Sequence, residues 1–563
     1  MKKRVIFTSY DELSTGGRSY EDLAKSAMVD EYFDRLITNK REYAESIGAR
    51  FICFIDEMKD FEVDSELEFT RVNLYKHHLF AKLAEECDEV LYVDMDVVFN
   101  TNLNIFEEHN LDNGIHIKDM NSDIRDKSKS AMVNSRLGLR SPALKYHITK
   151  DLLDGQDNNV INTGIMLGKS EHIKQIRFIE RMYEAIDKIN KLKESSIFEK
   201  QYYANNESIF SYILEKYKIP YVLFEDKWHQ ILDDRPKTID GYCLHFINKQ
   251  FNAFFKDKTQ CAFSIHIKIP DDKLDNPSNY HGLEIPKSMM VKQQLLKYHD
   301  NLLNNHKEYC NNNNIHYIHF TRDDKYEEFY KRFPDLSEYD VINLYKIYLL
   351  NELTKKYDHV MYVDFDVYFR QQYNVFDYMP IDYLLCCKKS DKNDILIPTK
   401  NISLYFEHYS HDFRNPNTKY WNTHAMLVEE GLNGDNDVFN TGIVLASKYS
   451  MEKLDYFSDI DEVISLMKEL KEDEFSLYHE NLRSQFGYDN ETIFSYKIEK
   501  NKVPHVDLHD SWHYINDLYK AKALEKDSLE RTWAKNQYNA ECKEHNVVLV
   551  HFISKNFGLA FDT

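Results

Sequence analysis

Two segments of this 563-residue chain, 270 positions apart, are nearly the same: DEVLYVDMDVVF at 88–99 and DHVMYVDFDVYF at 358–369. Four further pairs follow in the same order. VINTGIML (160–167) returns as VFNTGIVL (438–445), and NESIFSY (206–212) as NETIFSY (490–496). Trp228-His229 returns as Trp512-His513, and LHFINK (244–249) as VHFISK (550–555). The separation grows in steps, from 270 (Asp94 to Asp364) through 278 (Asn162 to Asn440) and 284 (Asn206 to Asn490) to 306 (His245 to His551). One duplicated unit with insertions in its second copy gives that pattern. Solenoid repeats have periods of about 20 to 50 residues, so the repeat here is a whole domain. The boundary is expected near 255–262, after FINKQFNAFF and before the strand-like AFSIHIKI, giving domains 1–256 and 257–563. The largest insertion, about 516–545, is charged and lies between Trp512 and His551.

Each unit reads as α/β. RVIFTSY (4–10) and ARFICFID (49–56) are strand-like, and 24–47 has helical apolar spacing. Over 71–86, apolar or aromatic residues at 72, 75, 79, 80 and 83 predict a helix. The apolar, β-branched run EVLYV then enters Asp94-Met95-Asp96. Strands alternating with helices imply a mostly parallel sheet, and such sheets bind ligands at the carboxyl ends of their strands. In the second unit the first strand is expected at IHIKIPDD (265–272).

Composition narrows the partners. With 72 Lys and Arg against 94 Asp and Glu, the net charge of −22 argues against binding by broad phosphate neutralisation. The 42% apolar content supports real cores. No apolar run reaches the roughly 18 residues of a membrane span, and MKKR followed by VIFTSYDEL reads as a strand rather than a secretory leader. The eight cysteines form no CxxC pair, which disfavours structural zinc and fits a reducing compartment. A cytoplasmic protein is therefore expected, and the Lys, Asn, Ile, Tyr and Phe bias fits a phage, a large virus or an AT-rich bacterium.

The chemistry concentrates in the repeated motifs. In an extended strand, residues two apart share a side, so Asp94 and Asp96, like Asp364 and Asp366, would repel unless a cation lay between them. A divalent metal bridged to a diphosphate is the natural occupant. The tripeptide alone is weak, since most DxD sequences are solvated turns, but here it follows a buried-type strand in both copies. His245 and His551 sit in apolar runs, where a satisfied core histidine is the usual reading. Each is followed four residues later by a lysine, Lys249 or Lys555, suited to phosphate oxygens. Trp228 and Trp512 read more readily as core anchors than as sugar-stacking rings. The charged stretches 192–200 and 467–476 read as solvated helix faces.

The ordered set resembles glycosyltransferase family 8, of the glycogenin and bacterial lipooligosaccharide galactosyltransferase type. That family shows a YLDxD-like strand after a helix, an N-[ST/A]-G segment, a DQ-type motif, a Trp region and a closing HFxGxxKPW. The resemblance covers essentially the whole chain, twice. It implies two tandem GT-A domains, a Rossmann-like α/β fold for nucleotide-diphospho-sugar transferases, with Mn²⁺ or Mg²⁺ and a UDP-sugar donor. Carried over by position, Asp94, Asp96 and His245, and Asp364, Asp366 and His551, resemble the metal ligands. Lys249 and Lys555 resemble the diphosphate-contacting lysine, and Thr8, Ser9 and Tyr10 the segment that holds the uridine. Lys76 and Lys346 are placed near the nucleotide sugar; Asn162, Thr163 and Gly164, with Asn440, Thr441 and Gly442, line the sugar. Asn206 and Glu207, with Asp489, Asn490 and Glu491, lie at the DQ-type position near the reacting carbon. For Glu207 and Glu491 a helix-N-terminal role is an equal alternative.

The departures from the family are specific. The closing motif, HFINKQF or HFISKNF, lacks the Gly before Lys and the Pro-Trp after it, and the DQ-type acid is Asp489 in one unit but Asn205 in the other. The resemblance implies a retaining hexosyl- or pentosyltransferase acting on a glycan or glycolipid hydroxyl. Two alternatives stand beside it: a phage enzyme glycosylating hydroxymethylated cytosine in DNA, and a non-catalytic carbohydrate-binding protein. The acceptor walls are expected in 100–159 and 370–437. The basic run Lys118, Arg125, Lys127, Lys129, Arg136 and Arg140 is the best sequence case for nucleic acid.

Overall fold

The computed structural model describes residues 2–11, 20–58, 61, 68–121, 124, 141–195, 202–274, 287–390, 416–473, 483, 486–516 and 529–562. The chain divides into two compact units: Met1–Arg18, Val29–Asp233 and Thr238–Lys249 form one, and Ser19–Met28, Asp234–Lys237 and Gln250–Thr563 the other. Residues 250–256 thus group with the second unit.

The first unit is built on a six-stranded sheet of β1 (Arg4–Tyr10), β2 (Arg50–Ile55), β3 (Glu89–Val93), β5 (Ile115–Asp119), β6 (Ile161–Lys169) and β7 (Tyr221–Leu223), in the order β2-β1-β3-β6-β5-β7. β1 runs parallel to β2 and β3, whereas β6 is antiparallel to both β3 and β5. The central strands are apolar on both faces. Val5, Phe7, Val90 and Tyr92 face one core with Leu74, Leu79 and Phe80 of the helix Glu68–Leu83. Ile6, Leu91 and Val93 face another with Tyr43 and Ala44 of the helix Tyr20–Ser46. A sheet buried on both sides needs a layer on each, which the alternating helices supply. A second, three-stranded sheet joins β4 (Val97–Phe99), β9 (Cys243–Phe246) and β8 (Gln230–Leu232).

The second unit has the same topology. Its large sheet runs β11-β10-β12-β15-β14-β16, from β10 (Gln260–Ile265), β11 (His316–Phe320), β12 (His359–Val363), β14 (Leu385–Lys389), β15 (Phe439–Ala446) and β16 (His505–Asp507). Its small sheet joins β13 (Val367–Phe369), β18 (Leu549–His551) and β17 (Tyr514–Ile515). Side-chain to backbone bonds repeat as well. Asn39 pairs through its amide with both backbone groups of Phe99, and Asn305 does the same with Phe369. Tyr43 and Tyr309 donate to Leu103 O and Tyr373 O and stack on Phe99 and Phe369.

The first strand of the second unit corrects the sequence expectation. It is QCAFSI, Gln260–Ile265, not IHIKIPDD at 265–272. The fully buried Cys261, Ala262 and Phe263 form the strand centre, whereas Pro270 and the exposed Asp271 and Asp272 lie beyond it in a short 3-10 turn. AFSI had read as strand-like, but a polar opening and two small residues hid the start of the strand. The charged insertion lies partly outside the described residues. Its remaining part, Leu529–Glu544, is a helix that packs Ala534, Tyr538 and Cys542 on Val550 and Phe552. The described ends of the two charged stretches, Glu194 and Ser195 and 471–473, are exposed. Among the described residues no helix is long and apolar enough to cross a membrane.

Candidate active site

In each unit the DxD motif is the hinge between the two sheets. β3 leads into Asp94, and Met95-Asp96 turn the chain into β4, closed by Val97 N donating to Asp94 O at 3.1 Å. The carboxylates therefore converge through a turn, not through the extended geometry expected from sequence. The apolar run breaks because the chain must leave one sheet for the other. The turn is pinned to β6 by Asp94 N donating to Gly164 O at 2.8 Å, and Asp364 N donates to Gly442 O at 2.7 Å.

The histidine arrives by strand pairing. β9 is antiparallel to β4 with His245 opposite Val97, and β18 sets His551 opposite Val367. His245 Nε2 lies 3.3 Å from Asp96 Oδ1 and 3.7 Å from Asp94 Oδ2. His551 Nε2 lies 3.5 Å from Asp366 Oδ1 and 3.6 Å from Asp364 Oδ2. In each triad one ligand atom per residue falls within 4.8 Å of the others. Neighbouring ligands about 2.1 Å from an octahedral ion stand about 3 Å apart, so small inward movements suffice. Two hard oxygens and one imidazole fit Mn²⁺ or Mg²⁺ better than a thiolate-seeking ion. The ammonium groups of Lys249 and Lys555 already contact Asp96 Oδ2 and Asp366 Oδ2, so each triad draws positive charge.

Electrostatics explain why Asp96 and Asp364 stay ionised. Burial pushes Asp96 up, but Lys249 and His245 overcome it and hold the group far below the carboxylate range. Burial likewise opposes, and Lys346 and His551 outweigh it, at Asp364, which is also lowered. Lys76 reaches Asp94 Oδ1 at 3.1 Å, and Lys346 lies 3.7 Å from Asp364 Oδ1. Tyr92 and Tyr362 donate their hydroxyls to the same two aspartates. Lys249 (φ 62°) and Lys555 (φ 56°) both adopt the left-handed conformation. That costs a non-glycine residue about 1–2 kcal/mol, as it does at the helix-end pairs Arg177/Asp455 and Lys218/Lys502.

Beside the triad, Asn162 Oδ1 accepts from Gly164 N at 2.8 Å, and Asn440 from Gly442 N at 2.9 Å. A methyl group on Gly164 or Gly442 would lie 2.2 Å from Cε1 of His245 or His551, so the imidazole occupies the space only glycine leaves. Glu207 accepts from Thr163 N at 3.3 Å through one oxygen and from Lys145 through the other. Glu491 does the same with Thr441 N at 2.8 Å and Lys419. Asn206 and Asn490 donate to the Thr163 and Thr441 hydroxyls at 2.7 and 2.9 Å. Asn205 and Asp489 cap the helices Asn206–Tyr217 and Asn490–Asn501. Asp489 adds a second carboxylate 3.4 Å from Lys419, and burial raises its pKa. Burial also opposes ionisation of Glu491, but Lys419 and Lys346 hold it low.

Thr8 and Ser9 lie buried near the end of β1, Thr8 with a hydroxyl that has no hydrogen-bond partner among the described residues. Tyr10 ends the strand half-buried and donates to Asp30. Three pairs of residues had escaped sequence reasoning. His229 and His513 place Nε2 3.1 Å from Nδ1 of His245 and His551, and burial keeps both neutral. Their signal was the repeated Trp-His pair, in which the tryptophans drew the eye. Those rings are core anchors, Trp228 edge-on to Tyr242 and Trp512 tilted against Tyr378. Lys145 and Lys419 were recoverable from the repeated Lys-Tyr of ALKYHIT and NTKYWNT. Tyr92 and Tyr362 read as strand residues only. Of the basic run, Lys118 pairs with Asp226, and Arg125, Lys127, Lys129, Arg136 and Arg140 lie outside the described residues. The expected acceptor walls likewise fall partly outside them, at 125–140 and 391–415.

No family model and no curated protein matches this chain. Among solved structures, a glycosyltransferase involved in glycosylation of the major capsid of PBCV-1 matches 43% of this chain and 93% of its own, at 13% identity and a TM-score of 0.22. The galactosyltransferase LgtC, in complex with donor and acceptor sugar analogues, matches 43% of this chain and 87% of its own, at 13% identity and a TM-score of 0.24. An active-site mutant of LgtC matches over the same shares, at 12% identity and a TM-score of 0.24.

Proposed function

We propose that this chain is a metal-dependent glycosyltransferase built from two copies of one α/β domain, 1–256 and 257–563, each with its own nucleotide-diphospho-sugar site. The observation that carries the reading is the paired set of two aspartates, a histidine and a lysine, formed twice with matching distances. A carboxylate pair that holds a divalent cation beside a lysine is suited to a diphosphate leaving group.

Asp94, Asp96 and His245 would hold Mn²⁺ or Mg²⁺ in the first unit, and Asp364, Asp366 and His551 in the second. When bound, the ion neutralises the negative charge that grows on the diphosphate as the sugar–phosphate bond breaks. Lys249 and Lys555 add a second positive charge there, exchanging an aspartate for a phosphate oxygen. Lys76 and Lys346 balance the outer aspartate. Glu207 and Glu491, with both oxygens engaged, brace the Asn-Thr-Gly segment against the sugar, and Asn206 and Asn490 hold its threonine. The donor is a nucleotide-diphosphate sugar, a UDP-sugar in the first unit, the transfer is retaining, and the acceptor is a neutral or mildly charged hydroxyl on a glycan or glycolipid. The net charge of −22 supports that choice, because its mean field repels polyanions.

The test is a sugar-nucleotide panel with Mn²⁺, read as release of UDP or GDP. Metal-dependent release with one donor, abolished in the double variant Asp96→Ala/Asp366→Ala, is the expected result. Full activity in that variant would remove the proposal.

A further inference from the structure

Strand register aligns the two sites residue by residue at a place where their chemistry differs. Arg4 lies opposite Glu89 at the start of β3, and Gln260 opposite His359 at the start of β12. Thr8 and Tyr10 therefore match Ser264 and His266. Val5 lies opposite Arg50 and Cys261 opposite His316, so Cys53 matches His319. The shared Asn39/Asn305 and Tyr43/Tyr309 bonds fix the preceding helices. They match Phe33 with His299 and Lys40 with His306. Within the DxD turns, Met95 matches Phe365. Four positions of the first unit, none of them histidine, are all histidine in the second.

The four imidazoles surround the Phe365 ring. His266 lies flat on it, with centroids 4.7 Å apart and planes at 3°. His299 and His319 each approach to 5.1 Å, and His306 meets it edge-on at 5.9 Å. Burial lowers His266, His306 and His319 to about 4, so they are neutral rings at pH 7, each with one donor and one acceptor nitrogen. A polar network ties down His306 and His319. Ser264 Oγ bonds His319 Nδ1 at 2.9 Å and the Tyr317 hydroxyl at 2.7 Å, and that hydroxyl lies 3.1 Å from His306 Nδ1. In the first unit the matching pair Tyr10 and Phe33 makes a ring contact at 5.1 Å, and Lys40 donates to Met95 O and Val97 O at 2.7 and 2.6 Å.

His266, His299 and His319 are half-buried against Phe365 of the DxD turn. A diphosphate held at the DxD turn carries a sugar at one end and a nucleoside at the other. On the β6 side of the turn stand Asn162, Asn206 and Glu207, which suit hydroxyl groups. On the β1–β2 side stand flat rings, which suit a base. We propose that the two units bind nucleotides with different bases, and that His266, His299, His319 and Phe365 set the choice in the second. A phenol and a benzyl ring in the first unit, and imidazoles with donor and acceptor nitrogens in the second, present different edges to the same part of a ligand. This inference rests on the nucleotide-diphospho-sugar reading of both sites.

The test uses the full chain with one site disabled at a time, Asp96→Ala to report the second unit and Asp366→Ala to report the first. Binding of UDP, CDP, GDP and ADP with Mn²⁺ is measured by calorimetry. The two variants should rank the four bases differently, with at least one affinity ratio changed by about tenfold or more. In the Asp96→Ala background, His266→Tyr/His319→Cys should move the ranking toward that of the first unit. His266→Tyr alone, at a half-buried position, should move it part of the way. Identical rankings in the two single-site variants, or rankings unmoved by both substitutions, overturn the inference while leaving the glycosyltransferase reading intact. If neither variant binds any of the four nucleotides, both readings fall.

Discussion

At the scale of single residues, the site depends on a side chain that is missing. His245 and His551 reach the aspartates by occupying the volume that Gly164 and Gly442 leave open. Gly164→Ala should therefore displace His245 and lower the Mn²⁺ affinity of the first unit by at least about tenfold. The whole-chain stability cost should stay near 1–3 kcal/mol, as for other overpacked positions. Manganese titration followed by electron paramagnetic resonance, beside urea unfolding, separates the two effects. His229 acts on the same imidazole from the opposite nitrogen. His229→Ala should lower affinity about 10- to 100-fold, whereas His229→Gln, which can still accept from His245 Nδ1, should recover part of it. Equal losses in both variants would show that the contact only fills space.

At the scale of elements, two helices meet the sheet through buried ion pairs. Lys145 on the helix Pro142–Leu152 and Glu207 on the helix Asn206–Tyr217 are both about nine-tenths buried. Lys145→Met would leave Glu207 without its cation and should cost about 3–5 kcal/mol, most of it recovered by adding Glu207→Gln. In the second unit Asp489 is an additional carboxylate whose folded pKa is raised by burial. A raised carboxyl pKa contributes stability on the acid side and loses it as pH rises past the ordinary value of 3.8. Asp489→Asn, which copies Asn205 of the first unit, should thus stabilise the protein at pH 7. The gain should shrink as pH falls toward 4, and denaturant midpoints at both pH values measure it.

The elements also show what the sequence could carry. EVLYV before Asp94 was legible because a strand buried on both faces is apolar throughout, and the helix at 71–86 by its spacing. QCAFSI was legible only in part, as the strand-like AFSI, because Gln260 and Ser264 break its apolar pattern while neighbouring strands complete it. Both Asp-Asp-His triads were visible as repeated residues. The turn that converges Asp94 and Asp96, and the strand pairing that delivers His245, depend on contacts too distant in sequence to be read from it.

At the scale of the whole molecule, each unit holds a full triad and its own lysine, so metal binding should be additive. The chain should take up two Mn²⁺ ions, and Asp96→Ala or Asp366→Ala should each leave one, with the affinity of the survivor unchanged. Calorimetric stoichiometry checks this. A single ion in the intact chain would contradict two separate centres.

The small sheet has a further consequence in time. Asp94 and His245 are 151 positions apart, and His245 reaches the site only after β9 has paired with β4. A ribosome adding roughly 5–20 residues per second needs on the order of 10–30 s to pass from one to the other. Throughout that interval the first pair of aspartates exists without His245 or the Lys249 ammonium. On the proposed reading a growing chain is therefore blind to an ion until the first unit is nearly whole, and ion capture would mark the moment when its last strand closes.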